Sequence, residues 1–170
     1  MNALLKEIKD LRKGELKRKI DSRLQDFAQL QNKGEKEWFS EFCFCLLTSN
    51  AKSKTACNVQ AEIGFEGFYK KDHASLVQCL LRNKHRFHNT KSSRIVEGRR
   101  HFGIKKEVQH IIEKEGLLTA REWLQQNVNG YGFKEASHFL RNVGYTDVAI
   151  LDRHILNLMV EHRIIRRPKN

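Results

Sequence analysis

One stretch of the chain, Trp123 to Ile155, holds residue types at a spacing suited to covalent chemistry. It reads as a helix, a tight turn Asn129-Gly130-Tyr131-Gly132, a second helix opening at Phe133, and an apolar run Val148-Ala149-Ile150-Leu151 that ends in Asp152. Gly130 and Gly132 leave the turn free of β-carbons, so its backbone N–H groups can approach a phosphate where the next helix presents its positive end. Lys134 falls in the first turn of that helix. A helix N-terminus disfavours the protonated amine, and a neutral amine can attack a sugar carbon. Asp152 stands directly before the helical stretch Arg153 to Met159. Fixed as an N-cap and facing Lys134, its carboxylate could stabilise positive charge on a sugar or help deprotonate the amine.

Each of these residues also has a plainer reading. A Gly-x-Gly turn can be an ordinary packing corner, Lys134 a phosphate contact without chemistry, and Asp152 a cap and nothing more. A phosphate held by such a turn would fix position on duplex DNA without reading its sequence.

The elements that must position these residues are all helical. Leu4, Leu5, Ile8 and Leu11, then Ile20, Leu24, Phe27 and Leu30, keep the spacing of one helical face and predict two opening helices. Arg12, Lys13, Lys17, Arg18 and Lys19 fall mostly on the opposite, solvated side. Residues Glu37 to Thr48 are almost continuously apolar and predict a central helix buried on most sides; the run is long for a strand, and no partner strand is evident. Further helices are predicted over Ser53–Glu62, His73–Leu81, Ser92–Phe102, Lys105–Glu115, Thr119–Asn127, Phe133–Val143 and Asp152–His162. Ala136, Phe139, Leu140 and Val143 form the buried side of the helix that carries Lys134. Gly64, Gly67, Gly103, Gly116, Gly130, Gly132 and Gly144 mark the joints, and the single proline, Pro168, leaves helix interiors undisturbed.

Composition narrows the partner. Lys and Arg outnumber Asp and Glu by 32 to 20, a formal charge of +12, and a polyanion is the natural complement of that field, although a basic surface can also serve solubility alone. Cys43, Cys45, Cys57 and Cys79 lack the spacing of a zinc site or an iron–sulfur cluster. Cys43 and Cys45 lie in an apolar run and read as buried reduced thiols of an intracellular protein, in cytoplasm or nucleoid. Lys6, Glu7 and Lys9 interrupt any secretory core, and no stretch reaches the length of a membrane span. Metal, cofactor and membrane are therefore not expected.

At these residues the chain resembles the helix-hairpin-helix DNA glycosylase superfamily, whose signature is this hairpin, a lysine shortly after it and a later aspartate. It is most similar to the archaeal-type second class of 8-oxoguanine DNA glycosylase/lyase. The similarity runs through Phe42-Cys43-Phe44-Cys45-Leu46-Leu47-Thr48, His85-Arg86-Phe87, Lys134 to Gly144, and Ala149-Ile150-Leu151-Asp152-Arg153-His154-Ile155-Leu156. The resemblance implies an all-α fold of two helical lobes with the active cleft between them. It also implies Lys134 as Schiff-base nucleophile and Asp152 as catalytic carboxylate. The expected arrangement is one domain over 1–170, with the hairpin and catalytic segment over 119–162, acting as a monomer on double-stranded DNA that contains a damaged base. Iron–sulfur relatives of the endonuclease III type carry a late cysteine cluster, whereas this chain has no cysteine after Cys79. Members of the closer class continue past Arg167-Pro168-Lys169-Asn170 with helices that wall the base pocket, and this chain reads as a shortened form.

The expected reaction is excision of 8-oxoguanine followed by strand nicking. Two alternatives are a non-catalytic hairpin module that only binds DNA and a lyase for other oxidised bases or abasic sites. Asn129, Gly130, Tyr131 and Gly132 are the expected backbone-binding turn. Arg86 and Phe87, a cation beside a flat ring, suit the gap left in a duplex when a nucleotide is extruded; a core Phe beside a surface Arg is the equal alternative. His85 and His88, three apart on a possible helix face, read as structural or phosphate-facing rather than as metal ligands.

Overall fold

The computed structural model describes residues 2–166. Pro168 and the rest of the segment 167–170 lie outside the described residues, as does Met1. Ten α-helices follow one another: α1 (Asn2–Leu11), α2 (Glu15–Gln31), α3 (Glu35–Thr48), α4 (Ser53–Lys70), α5 (His73–Arg82), α6 (His88–Gly98), α7 (Ile104–Glu115), α8 (Leu117–Asn127), α9 (Phe133–Asn142) and α10 (Arg153–Glu161). A short 3-10 turn, Arg99–His101, links α6 to α7. Among the described residues there is no strand, and no helix is long and apolar enough to cross a membrane.

The apolar run forms α3, and α3 is the axle of the molecule. Trp38, Phe39, Phe42, Cys43, Cys45, Leu46 and Leu47 are fully buried beneath α4, α6, α7 and α9. Fully burying one such side chain stabilises by about 1.5–3 kcal/mol, so this helix anchors whatever packs on it. α9 is fastened to α3 by rings and by a polar clamp. Trp38 meets Phe139 edge-on at 5.9 Å, and Phe42 meets Tyr131 at 5.3 Å. The Glu41 carboxylate accepts from Gln60 of α4 and from Asn142 of α9, both at 2.8 Å. Ala136, Phe139, Leu140 and Val143 are fully buried, as the periodicity predicts. Cys43 and Cys45 are buried, and loss of hydration pushes both thiols upward.

A helix ends with four carbonyls that lack intrahelical partners, and each one at the end of α3 has found a donor. Cys45 O accepts from the Thr48 hydroxyl at 2.9 Å, and Leu46 O from the Lys91 amine at 2.5 Å. Leu47 O accepts from His85 Nε2 at 2.9 Å, and Thr48 O from the Ala51 N–H at 3.3 Å. Lys91 is only 2% exposed, and the C-terminal carbonyls of a helix are where a buried cation is best received.

α4 and α6 differ most from the sequence reading, the other helices by one or two residues at an end. α4 does not stop at Glu62 but runs to Lys70, bending at Gly64 (φ 53°, ψ −164°). Gly64 takes a positive φ that other residues resist, and helix resumes at once because Phe68 is buried and Phe65 packs on Phe39. Gly67 is therefore not a joint; it lies inside the helix, where a Cβ would come within 2.3 Å of Ile63 Cβ. α6 opens at His88 rather than Ser92. His85 lies in the turn before it, so His85 and His88 do not share a helix face.

Candidate active site

The hairpin joins α8 to α9, with Gly130 at φ +98°, a left-handed value that favours glycine. Gly132 is extended (φ −102°, ψ −177°), and its N–H donates to Glu135 Oε2 at 3.1 Å. Glu135 thus supplies one half of a capping box; glycine has no side chain to return the other. The Tyr131 N–H donates to Val128 O at 3.0 Å. The N–H groups of Asn129, Gly130, Phe133 and Lys134 have no protein acceptor among the described residues. The hairpin therefore presents free backbone donors on both sides of Gly132, the arrangement that receives a phosphate.

The Tyr131 side chain takes no part in that surface. It is 5% exposed and its hydroxyl donates to Phe42 O at 3.0 Å, so Tyr131 ties the hairpin to α3. Asn129 is held differently, by donation from Nδ2 to Glu97 Oε2 at 2.8 Å.

Lys134 lies in the first turn of α9, its side chain one-third exposed, with Nζ 3.2 Å from Glu135 Oε1. The sequence reading considered only the helix terminus and missed this partner, although Glu135 stands three residues after Gly132, the spacing of a capping box. Burial alone would raise the Glu135 carboxyl; the Lys134 charge and the Gly132 N–H outweigh it, and the net shift is downward. One turn along, His138 places Nδ1 3.5 Å from the Thr48 hydroxyl. Burial, reinforced by Arg141 and Lys134, pushes the His138 ring down to about 4, so it is neutral beside the amine.

Asp152 caps α10 as its position predicts: Oδ1 accepts from the N–H groups of His154 and Ile155, both at 2.9 Å. Those bonds hold its carboxyl below the usual range, and the Lys134 charge adds to the effect. No hydrogen bond or ion pair joins Lys134 to Asp152 among the described residues. The two are coupled through their fields and not by contact.

Arg86 and Phe87 are both exposed in the turn before α6. The guanidinium of Arg86 stands 5.2 Å from the Phe87 ring, and at 40% exposure Phe87 is not a core residue. His85 is buried, with Nδ1 facing the Phe87 N–H at 3.4 Å and Nε2 donating to Leu47 O. Burial lowers its ring, which makes it a neutral structural group rather than a phosphate contact. Among the described residues no group of three or more His, Cys, Asp or Glu side chains could hold a metal ion. Two surface concavities, one along Lys6–Leu16 and one between Lys36 and Glu66, border neither Lys134 nor Asp152.

An amine at the start of a helix thus adjoins a hairpin with free N–H donors on an all-α helix-hairpin-helix scaffold. Residues 20–170 match the family model described as 8-oxoguanine DNA glycosylase. The chain belongs to that family. It is 44% identical over 162 residues to the 8-oxoguanine DNA glycosylase/AP lyase of Methanocaldococcus jannaschii, covering 95% of this chain and 76% of that relative. The crystal structure of the M. jannaschii glycosylase/lyase in complex with a 15mer DNA containing 8-oxoguanine is similar at a TM-score of 0.92 and 43% identity, covering 99% of this chain and 80% of that one. The Thermotoga maritima 8-oxoguanine DNA glycosylase is similar at a TM-score of 0.90 and 38% identity, with coverages of 99% and 79%.

Proposed function

We propose that this chain is a bifunctional DNA glycosylase and AP lyase that removes 8-oxoguanine from duplex DNA and nicks the abasic strand. The observation that carries the reading is the Lys134 amine in the first turn of α9, adjoining hairpin N–H groups that have no protein acceptor. In this reading residues 1–170 are one glycosylase domain, with the hairpin and catalytic segment over 119–162. It acts as a monomer, each chain carrying its own hairpin, in cytoplasm or nucleoid.

The hairpin Asn129-Gly130-Tyr131-Gly132 holds the DNA backbone through the N–H groups of Asn129 and Gly130 and, just past Gly132, those of Phe133 and Lys134, while the Tyr131 and Gly132 N–H groups keep the turn in shape. The damaged nucleotide is extruded because its glycosidic carbon is out of reach within the stack. Arg86 and Phe87 fill the space it leaves. Lys134 leaves Glu135 and gives up a proton, its freed electron pair bonds to the sugar carbon as the glycosidic bond breaks, and the base departs with that bond's electrons and takes up the proton. Asp152, fixed by its cap, stabilises the positive charge that develops on the sugar. Ring opening gives an imine between lysine and sugar. Loss of a proton from the neighbouring sugar carbon then expels the 3′ phosphate, and water releases the amine.

Borohydride trapping on a duplex carrying 8-oxoguanine tests the assignment. The native chain should give a covalent complex, Lys134→Gln none, and Asp152→Asn at least a hundredfold less. If Lys134→Gln traps as well as the native chain, the nucleophile is another residue. If the native chain binds but never traps, the hairpin is a DNA-binding module only. Substituting an oxidised pyrimidine or an abasic site for 8-oxoguanine reads the lesion range.

A further inference from the structure

α6 presents three residues to the hairpin and the end of α3, spaced three apart along one face: Lys91, Arg94 and Glu97. Two of them have evident partners. Lys91 donates to the last turn of α3, and Glu97 accepts from Asn129. Arg94 is different. Its Cδ, Nε and Cζ lie 2.6, 2.9 and 3.1 Å from the point where a Cβ on Gly130 would stand. The guanidinium is thus laid against the hairpin backbone, and Gly130 must lack a side chain both for its φ and for this contact. Arg94 is only partly exposed, yet its five donors have no hydrogen bond or ion pair among the described residues.

Two sets of unused donors therefore meet at one glycine: the planar fork of Arg94 and the hairpin N–H groups. A phosphodiester fits both at once. Its two unbridged oxygens take a bidentate guanidinium on one side and backbone N–H groups on the other. We propose that Arg94 is a phosphate ligand of the hairpin, closing with the main chain around Gly130 on one phosphodiester of the DNA backbone. The inference rests on the reading of this hairpin as DNA-binding, and it adds a residue from a separate helix to that grip.

The alternative is that Arg94 props the hairpin from behind and never meets DNA. The two roles separate in the salt dependence of binding, because each phosphate neutralised adds about 0.9 to the slope of log affinity against log salt. The test is binding of the full chain to a duplex bearing a reduced, uncleavable abasic sugar, measured from 50 to 300 mM salt on native protein, Arg94→Met and Arg94→Lys, with melting temperatures alongside. Arg94→Met should bind roughly tenfold more weakly with a slope shallower by about 0.9, whereas Arg94→Lys should keep the native slope. Both should melt near the native temperature. A native slope in Arg94→Met, or equal loss of binding and of melting temperature in both variants, would overturn the assignment. If the native chain itself fails to bind the duplex, the DNA reading of the hairpin falls and Arg94 with it.

Discussion

Lys134 and Glu135 are adjacent in sequence, and the second restrains the first. The Lys134 amine cannot bond to a sugar carbon while it is held 3.2 Å from Glu135, yet the same carboxylate closes the N-terminus of α9 on Gly132. Glu135→Gln keeps an oxygen for the Gly132 N–H and removes the anion that stabilises the ammonium. Trapping by this variant at a fixed neutral pH should be several-fold faster than in the native chain, because the amine is no longer held against an anion. Glu135→Ala loses the cap as well and should cost about 1 kcal/mol in denaturant unfolding. A trapping rate in Glu135→Gln equal to the native one would mean that the ion pair does not restrain the amine. Lys134 and Asp152 were legible in the sequence because their positions rest on local rules: first turn after a hairpin, and N-cap after an apolar run. Arg94 was not legible, because nothing in its own neighbourhood points to Gly130.

At the scale of elements, α10 stands apart from the helices packed around α3. It carries Asp152 at its head, yet none of its residues is buried, and Ile155 and Leu158 stand 42% and 38% exposed. A nine-residue helix is marginal without tertiary support, so its capping by Asp152 has unusual weight. Amide hydrogens of α10 should exchange with little protection, orders of magnitude faster than those of Phe42–Leu47 in α3. Asp152→Ala should speed the α10 exchange further while leaving α3 unchanged. Equal protection in the two helices would show that α10 is held by more than its cap. Helix existence was legible throughout, since apolar spacing is a one-dimensional signal. The ends of α4 and α6 were not: α4 continues past Gly64 because the next turn can be buried against Phe39, and α6 opens at His88, one turn before Ser92, where Lys91 is buried with its amine on Leu46 O.

Across the whole molecule, two buried bases each make a separable contribution to how stability varies with pH. Burial, with Arg94 next in effect, brings the Lys91 amine from 10.5 down to about 8, and the His138 ring falls from 6.5 to about 4. Between about 8 and 10.5 the unfolded chain holds a proton on Lys91 that the folded chain has released, so Lys91 contributes a rise in stability with pH across that window, of order 3 kcal/mol, which the buried thiols of Cys43 and Cys45, keeping their protons longer when folded, oppose in its upper part. Between about 4 and 6.5 the unfolded chain likewise holds a proton that folded His138 lacks, so acidification removes a similar amount. Urea midpoints of the native chain, compared against pH with those of Lys91→Met and His138→Phe, should separate the two contributions. The Lys91→Met difference should grow as pH rises from about 8, and the His138→Phe difference should account for part of the acid rise, since buried His85 and half-buried His101 are shifted the same way; a Lys91→Met difference that does not change with pH would assign the upper contribution to another group.

The sequence by itself determined the helices, the hairpin, the basic field and the two residues proposed for the chemistry, because each depends on neighbours within a few positions or on composition alone. Tertiary structure decided what surrounds them. Lys91 meets Leu46 across 45 residues and Tyr131 meets Phe42 across 89, pairings set by how the buried faces of α3, α6 and α9 fit together. Side-chain type and spacing say which groups can react or bind; only packing says which of them are left without a partner, and so are free to meet DNA.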